Sequence, residues 1–273
     1  MVNISEKENF VILDNQCIPA EHINHQALAE YDMFYEVMRV IDGKVAFLDD
    51  HLYRMQNSLA LSGVKKRIHK SHLRQKIKLC IRINRVKNGN IRVSVFSDGK
   101  NLKWLTEVIP HHYPSIRDYT GGVDVAVAHF ERERPNIKKW NQTMKNVVAR
   151  YKKIRDVYEV LFYNEQGYLT EGSKSNLFFV VDNTVVTAPG NMVLKGVTRK
   201  YVFECVNKLN LKMEEKMVHV TNLLKYDAVF ITGTSPKVLP VKEIKACCHA
   251  NPKHPVVRKI MAAYDDILYE SLS

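Results

Sequence analysis

Apolar and polar positions alternate along the chain in a way that predicts many short strands and fewer helices. Residues 9–18 read as a strand with a turn at Asp14–Asn15. FYEVMRV, then Asp42–Gly43, then KVAFL predicts a hairpin over 34–48. Leu48, Leu52, Met55 and Leu59 recur at spacings of four, three and four, the stripe of a helix from about Asp49 to Ser62 that Gly63 closes. Leu73, Ile77 and Cys80 form the inward face of a second helix, in the basic stretch that begins at Lys65, and strands follow near 90–97 and 104–109. HHYPSIRDYTGG (111–122) has the turn formers of a linker. Beyond it come a strand at 123–129, a polar loop ERERPN and a long helix after Pro135. That helix should carry Trp140, Met144, Val147, Tyr151 and Ile154 on one face. Strands near 158–163, 175–181 and 184–188 precede a helix at 198–209 that buries Val202, Cys205, Val206 and Leu209. Strands near 212–219, 227–232 and 238–242 and a helix near 254–271 complete the pattern.

Helices mixed with short-linked strands predict an α+β protein rather than a regular parallel βαβ array. The expected division is a small domain over 1–115, a linker at 116–122 and a larger domain over 123–273. Neither GxGxxG nor GxxxxGK[ST] occurs, so nucleotide-binding folds have no support. The 45% hydrophobic content is that of an ordinary soluble protein, and no apolar run is long enough to span a bilayer. MVNISEKENF lacks the apolar core of an export signal, and five cysteines at no metal-type spacing read as free thiols. A cytoplasmic protein without a bound metal is expected. The formal charge is +12, much of it in KKRIHKSHLRQKIK (65–78). That segment lacks interleaved aromatics and matches no nucleic-acid motif, so no nucleic-acid partner is expected. A basic surface does draw in anionic metabolites.

Four separated stretches carry candidate chemistry. PNIKKWNQ (135–142) places lysines at a helix entrance. YLTEGSKSNLFF (168–179) holds an acid in a strand–turn–strand unit. LKGVTRKYV (194–202) opens a helix with Gly-Val-Thr, and FITGTSPKVLPV (230–241) sets a small hydroxylated loop after an apolar strand. Each is ordinary alone. Together they supply what a phosphorylated aldehyde needs: an amine for a Schiff base, an acid opposite a pyridine nitrogen, and an anion socket. The helix N-terminus offers N–H groups and a favourable dipole, and Gly196 lets the backbone come close. Thr198, Thr234 and Ser235 add hydroxyl or amide donors, and an arginine would add a charge-assisted pair.

EGSKSNLF, GVTR and TGTS, in that order, resemble the class IV aminotransferases, the fold-type IV enzymes that use pyridoxal 5′-phosphate (PLP). The group includes branched-chain aminotransferase, D-amino-acid aminotransferase and aminodeoxychorismate lyase. The similarity runs from about Tyr31 to Val241, and DMFYEVMRVIDGKVAFLDDHLYRM also looks like the family's N-terminal signature. The resemblance implies a smaller N-terminal α/β domain, a larger domain with a barrel-like mixed sheet and flanking helices, and a homodimer. It implies that Lys138 is the Schiff-base lysine, with Lys139 and Lys145 as nearby alternatives. Glu171 would face the pyridine nitrogen, and Arg54 would hold the phosphate. Val197 and Thr198 would donate backbone N–H groups to that phosphate, and Thr234 would complete its socket. Tyr35 and Arg92 would lie on the substrate side.

The chain also departs from its relatives. The Arg-x-His pair of the D-amino-acid enzymes is absent from SDGKNLKWLTE. Gln142 and Asn90 stand where branched-chain enzymes have tyrosines, and Lys237 stands where an acid is common. Transamination between a small amino acid and a 2-oxo acid is the expected reaction. Elimination of pyruvate from aminodeoxychorismate is the alternative, and a non-catalytic basic binding protein on the same scaffold is a lesser one.

Overall fold

The computed structural model describes residues 9–28, 31–65, 67–97 and 101–272, which fall into two units. Unit 1 comprises the residues up to His111 together with Ile137–Trp140, and unit 2 comprises His112–Asn136 and Asn141–Ser271.

In unit 1 the chain runs through strands β1 (Phe10–Leu13) and β2 (Gln16–Pro19), the short helix α1 (His25–Leu28), then β3 (Asp32–Ile41) and β4 (Lys44–Val45). Helices α2 (Leu48–Leu61) and α3 (Lys70–Ile83) follow, then β5 (Gly89–Ser97) and β6 (Leu102–Ile109). The six strands form one sheet in the order β2-β1-β6-β5-β3-β4, and every pairing is antiparallel. Asp42 and Gly43 both adopt positive φ (49° and 76°), as a two-residue hairpin turn between right-twisted strands requires. Met38, Val40, Ile91, Val93 and Val95 share a core with Leu52, Met55 and Leu59 of α2 and Leu73, Ile77 and Cys80 of α3. Each such side chain contributes roughly 1.5–3 kcal/mol on burial. The stripes read from spacing on both helices are therefore the buried ones.

β4 covers β3 only at Val40 and Ile41. Earlier along the same edge, Ile137–Trp140 lies against β3. Lys139 bridges Phe34, Tyr35 N–H donates to the Lys138 carbonyl (3.2 Å), and Trp140 N–H donates to the Met33 carbonyl (2.8 Å). The expected helix directly after Pro135 is corrected accordingly. Asn141 is the N-cap, its side chain accepting from Met144 N–H at 2.8 Å, and the helix starts at Gln142. Trp140 lies before that helix, and Ile154, expected on its buried face, is 66% exposed.

Unit 2 comprises α4 (Ile116–Gly121), β7 (Val123–His129), α5 (Gln142–Arg155), β8 (Glu159–Tyr163), β9 (Tyr168–Gly172), β10 (Asn176–Val181), β11 (Thr184–Thr187) and α6 (Val197–Lys208). It continues with β12 (Lys212–Glu215), β13 (Val218–His219), β14 (Ala228–Gly233), β15 (Lys237–Ile244), β16 (Cys248–His249) and α7 (Pro255–Glu270). Six strands close into a ring, β9-β10-β14-β15-β7-β8 and back to β9, sealed by the pairing of Asn176 with Glu171. β7 runs parallel to both β15 and β8, and the other ring pairings are antiparallel, so the barrel is mixed. The fold is α+β, with the barrel-like sheet and flanking helices expected. Val125, Leu161, Leu177, Phe179, Ile231 and Leu239 belong to one core cluster, while Met144 and Val148 of α5 bury against Ala126, Ala128, Val160 and Phe162.

Within the stretch whose turn formers read as a linker, 116–121 is helical. Ser115 and Asp118 form a reciprocal capping box that overrides the weak helical propensity. The strand expected over 212–219 is two strands, β12 beside β11 and β13 beside β9, on different edges of the sheet. Among the described residues no helix is long and apolar enough to cross a membrane.

Candidate active site

In unit 1, alternation along β3 puts Phe34, Glu36, Met38 and Val40 on the buried face and Tyr35 on the other. Glu36 is thus a carboxylate inside an apolar core, fully buried. Helix spacing brings its partners: His51 and Arg54 are three residues apart on α2 and face it together. Arg54 donates from Nε to Glu36 Oε1 (2.7 Å) and from Nη2 to Oε2 (2.5 Å), a bidentate pair. His51 Nδ1 lies 2.8 Å from Oε2, and a carboxylate acceptor there makes Nδ1 the protonated ring nitrogen. Burial alone would raise the Glu36 carboxyl. The Arg54 charge and the hydrogen bonds from Arg54 and His51 outweigh it and hold the pKa at about 2. Burial lowers the His51 pKa, against the pull of Glu36, so His51 is a neutral donor; Arg54 and Lys138 push it the same way.

Alternation across 137–140 separates the two adjacent lysines. Lys139 is exposed and pairs with Asp32 at 2.5 Å. Lys138 is half-buried, with its N–H on Ser58 Oγ (3.1 Å) and its Nζ 5.0 Å from the centre of the Tyr35 ring. Trp140 packs edge-on against Tyr35 at 5.9 Å, and the Arg92 guanidinium lies 5.8 Å from the Trp140 ring centre. Arg92 also donates from Nε and Nη2 to Glu107 Oε1 (3.0 and 2.9 Å), its register partner on β6. Unit 1 therefore brings Lys138, Tyr35 and Arg92 together around Trp140.

In unit 2, Glu171 is the penultimate residue of β9 and is 3% exposed. Its Oε1 lies 2.9 Å from Arg132 Nε, and its Oε2 accepts from Leu194 N–H at 3.1 Å. A cavity of about 190 Å³ opens beside the pair, lined by Phe130, Arg132, Thr170, Glu171 and Met192 among others. The turn after Glu171 is held by a second buried carboxylate, Glu159. It accepts from Ser173 Oγ (2.6 Å), Ser175 Oγ (3.3 Å) and the N–H groups of Val160 (2.8 Å) and Lys174 (3.2 Å).

Leu194 leads into α6, whose N-cap is Gly196. Asn176 Nδ2 donates to the Leu194 carbonyl (2.8 Å), and a Cβ at Gly196 would meet Asn176 Oδ1 at 2.1 Å. No side chain caps the first N–H groups of α6, and its first turn holds no acidic residue. Val197 and Thr198 are buried there, and Tyr264 Oη stands 3.5 Å from Thr198 Oγ1. Thr234 and Ser235 occupy the turn between β14 and β15. Unit 2 thus joins Glu171 to the start of α6 through Leu194. Sequence reasoning did not assign roles to Glu36, His51, Arg132, Glu159 or Asn176. For Glu36 a signal existed: a charge in the apolar register of β3 demands a buried counter-charge.

The sequence model of the family described as amino-transferase class IV matches residues 33–244. The chain belongs to the class IV aminotransferases. It is 26% identical to the D-alanine aminotransferase of Bacillus licheniformis over 224 residues, covering 78% of this chain and 79% of that protein. It is 24% identical to a probable branched-chain-amino-acid aminotransferase of Rickettsia bellii, over 86% of this chain and 87% of that one. In fold it is similar to the branched-chain aminotransferase of Escherichia coli, with a TM-score of 0.85 at 20% identity, covering 98% and 97% of the two chains.

The family is a family of enzymes that use PLP. This class IV aminotransferase has groups that suit such a molecule. The start of α6 has no side-chain cap, and Gly196 leaves no room there for a Cβ, features that would suit a phosphate. In unit 2 Glu171 is a buried carboxylate at the edge of a cavity, and in unit 1 Arg54 is a largely buried guanidinium.

Proposed function

We propose that the protein transfers an amino group between a small, apolar amino acid and a 2-oxo acid, with Lys138 as the amine that bears the cofactor. The observation that carries the choice of lysine is the divided pair at 138 and 139. Lys139 is exposed and paired with Asp32, whereas Lys138 is half-buried over Tyr35 and its charge reaches His51. PLP, when bound, supplies an electron sink for the charge that develops at the substrate Cα. Lys138 Nζ would take the proton from that Cα as a base and, as an acid, deliver it away from that carbon, which is what transfer of the amino group requires. Glu171 holds the proton on the ring nitrogen. In unit 2 the N–H groups of Val197 and Thr198 and the Thr234–Ser235 turn bind the phosphate, and in unit 1 Arg54 is the guanidinium that the family resemblance assigns to it. Glu36 and His51 orient Arg54 and keep its guanidinium in one plane.

Tyr35 and Trp140 offer the substrate an aromatic surface, and Glu107 balances the charge of Arg92. This supports a substrate with a small apolar side chain, and Arg92 is assigned to the substrate carboxylate in exchange for Glu107. The relatives named as D-alanine and branched-chain aminotransferases support transamination. We further propose a homodimer, to be read as twice the 31.6 kDa chain mass by light scattering. We also propose a cytoplasmic location, supported by the free thiols of Cys17 and Cys247, which are exposed and would be open to oxidation elsewhere.

The test is a panel of amino donors offered with 2-oxoglutarate. The proposal expects the 2-oxo acid of a small apolar donor. Pyruvate and 4-aminobenzoate formed from aminodeoxychorismate without an acceptor would overturn it for the lyase. No turnover of any donor, with no cofactor retained, would overturn it for a binding protein.

A further inference from the structure

We infer that Lys237, through Asp265 and Tyr119, is a positioning residue for the Thr234–Ser235 turn, and that α7 braces the phosphate-binding elements of unit 2. The inference rests on the assignment of that turn to phosphate binding made above. β14 and β15 form a hairpin closed by the pair Gly233 and Lys237, with Thr234, Ser235 and Pro236 between them. Lys237 has φ = +55°, in the left-handed region. A lysine is disfavoured there, and glycine or asparagine is the ordinary choice. Nothing local to the turn favours lysine there.

The compensation comes from two helices of the same unit. Lys237 Nζ donates to Asp265 Oδ1 of α7 at 2.6 Å and lies 5.3 Å from the centre of the Tyr119 ring of α4. The side chain is only 18% exposed, so this ion pair is better shielded than an open surface one. Tyr119 Oη donates to the Pro236 carbonyl (3.1 Å), gripping the turn one residue earlier. Arg258, also on α7, donates from Nη1 to the Tyr119 carbonyl and from Nη2 to the Thr120 carbonyl, each at 2.6 Å. Beside Asp265, Tyr264 reaches Thr198 Oγ1 in the first turn of α6. Neighbouring residues of one helix therefore touch both elements assigned to the phosphate. The Lys237 amine is bound to Asp265, which makes it a brace for the turn and not an anion ligand. An acid at 237 would repel Asp265, so lysine here is matched to this chain's own α7.

The experiment compares binding of PLP and of pyridoxal, which lacks the phosphate, to the apoprotein by fluorescence titration. Lys237→Met and Asp265→Asn should each weaken PLP binding about tenfold and leave pyridoxal within twofold. The exchanged pair, Lys237→Asp with Asp265→Lys, should recover most of the PLP affinity; Lys237→Arg should keep it. Retained pyridoxal binding shows that a variant is folded. If Thr234→Val weakens PLP binding while Lys237→Met and Asp265→Asn do not, the turn binds phosphate and the brace is refuted alone. If Thr234→Val also leaves PLP affinity unchanged, the phosphate assignment fails and the brace falls with it. Equal weakening of PLP and pyridoxal by Lys237→Met would mark general damage and overturn the inference.

Discussion

Replacing Glu36 by Gln removes the one carboxylate shared by Arg54 and His51 while keeping its shape. A carboxyl held at about 2 instead of its ordinary 4.5 stabilises the fold by roughly 3 kcal/mol at neutral pH, at about 1.4 kcal/mol per pH unit. Taking the charge partner from a largely buried guanidinium costs up to about 3–5 kcal/mol by comparison with other severed buried pairs. An expected loss of about 3 kcal/mol follows, all of it from unit 1. Both tryptophans, Trp104 and Trp140, lie in that unit, so their fluorescence in urea reports on it directly. The pH dependence has a definite sign. The Glu36 pKa is depressed by folding, so its contribution is complete above pH 4.5 and disappears as the pH falls toward 2. The Gln variant should therefore unfold at lower urea than the natural protein at pH 7, and the gap should narrow below pH 4.5. The His51 pKa is also depressed, so both proteins should lose stability as the pH drops through 6.5, where the unfolded chain takes up that proton first. A loss under about 1 kcal/mol at pH 7, or a gap constant down to pH 3, would refute the reasoning.

Three other outcomes follow from the same geometry. Gly196→Ala places a methyl within 2.1 Å of Asn176 Oδ1 and should displace the 194–198 backbone, weakening PLP binding at least tenfold by equilibrium dialysis. Glu159→Leu strips four donors of their acceptor beside Glu171 and should lower unit 2 stability by about 3 kcal/mol, measured by thermal circular dichroism. Lys139→Ala breaks only an exposed pair and should change stability by less than about 1 kcal/mol, with cofactor attachment intact by mass spectrometry.

Much of the secondary structure was legible because burial follows period. The α2 stripe and the buried face of α3 are the positions that spacing selected. What spacing could not see was long-range pairing. Trp140 sits in helical register with Met144, yet Ile137–Trp140 is drawn onto the uncovered edge of β3, where Lys139 bridges Phe34 from 105 residues away in sequence, and Asn141 starts the helix afresh. The 212–219 stretch is continuous in propensity but feeds two edges of one sheet, a matter of topology. The candidate site shows the same division. Lys138, Glu171 and the start of α6 were proposed from short motifs, each on its own local element. Arg132 and Glu159 act on Glu171 and the turn after it, and Asp265 on Lys237, each from a distant element, and no local pattern announces them. Glu36 is the intermediate case, visible as a misplaced charge but identifiable as the partner of Arg54 only once β3 and α2 are packed.

The most direct test of the central claim is to load the protein with PLP, reduce it with borohydride, digest it and map the modified peptide by mass spectrometry. The account predicts that the pyridoxyl mass sits on Lys138 and vanishes in Lys138→Ala. Modification of Lys139 or Lys145 instead, or an unchanged yield of labelled protein from Lys138→Ala, would contradict it.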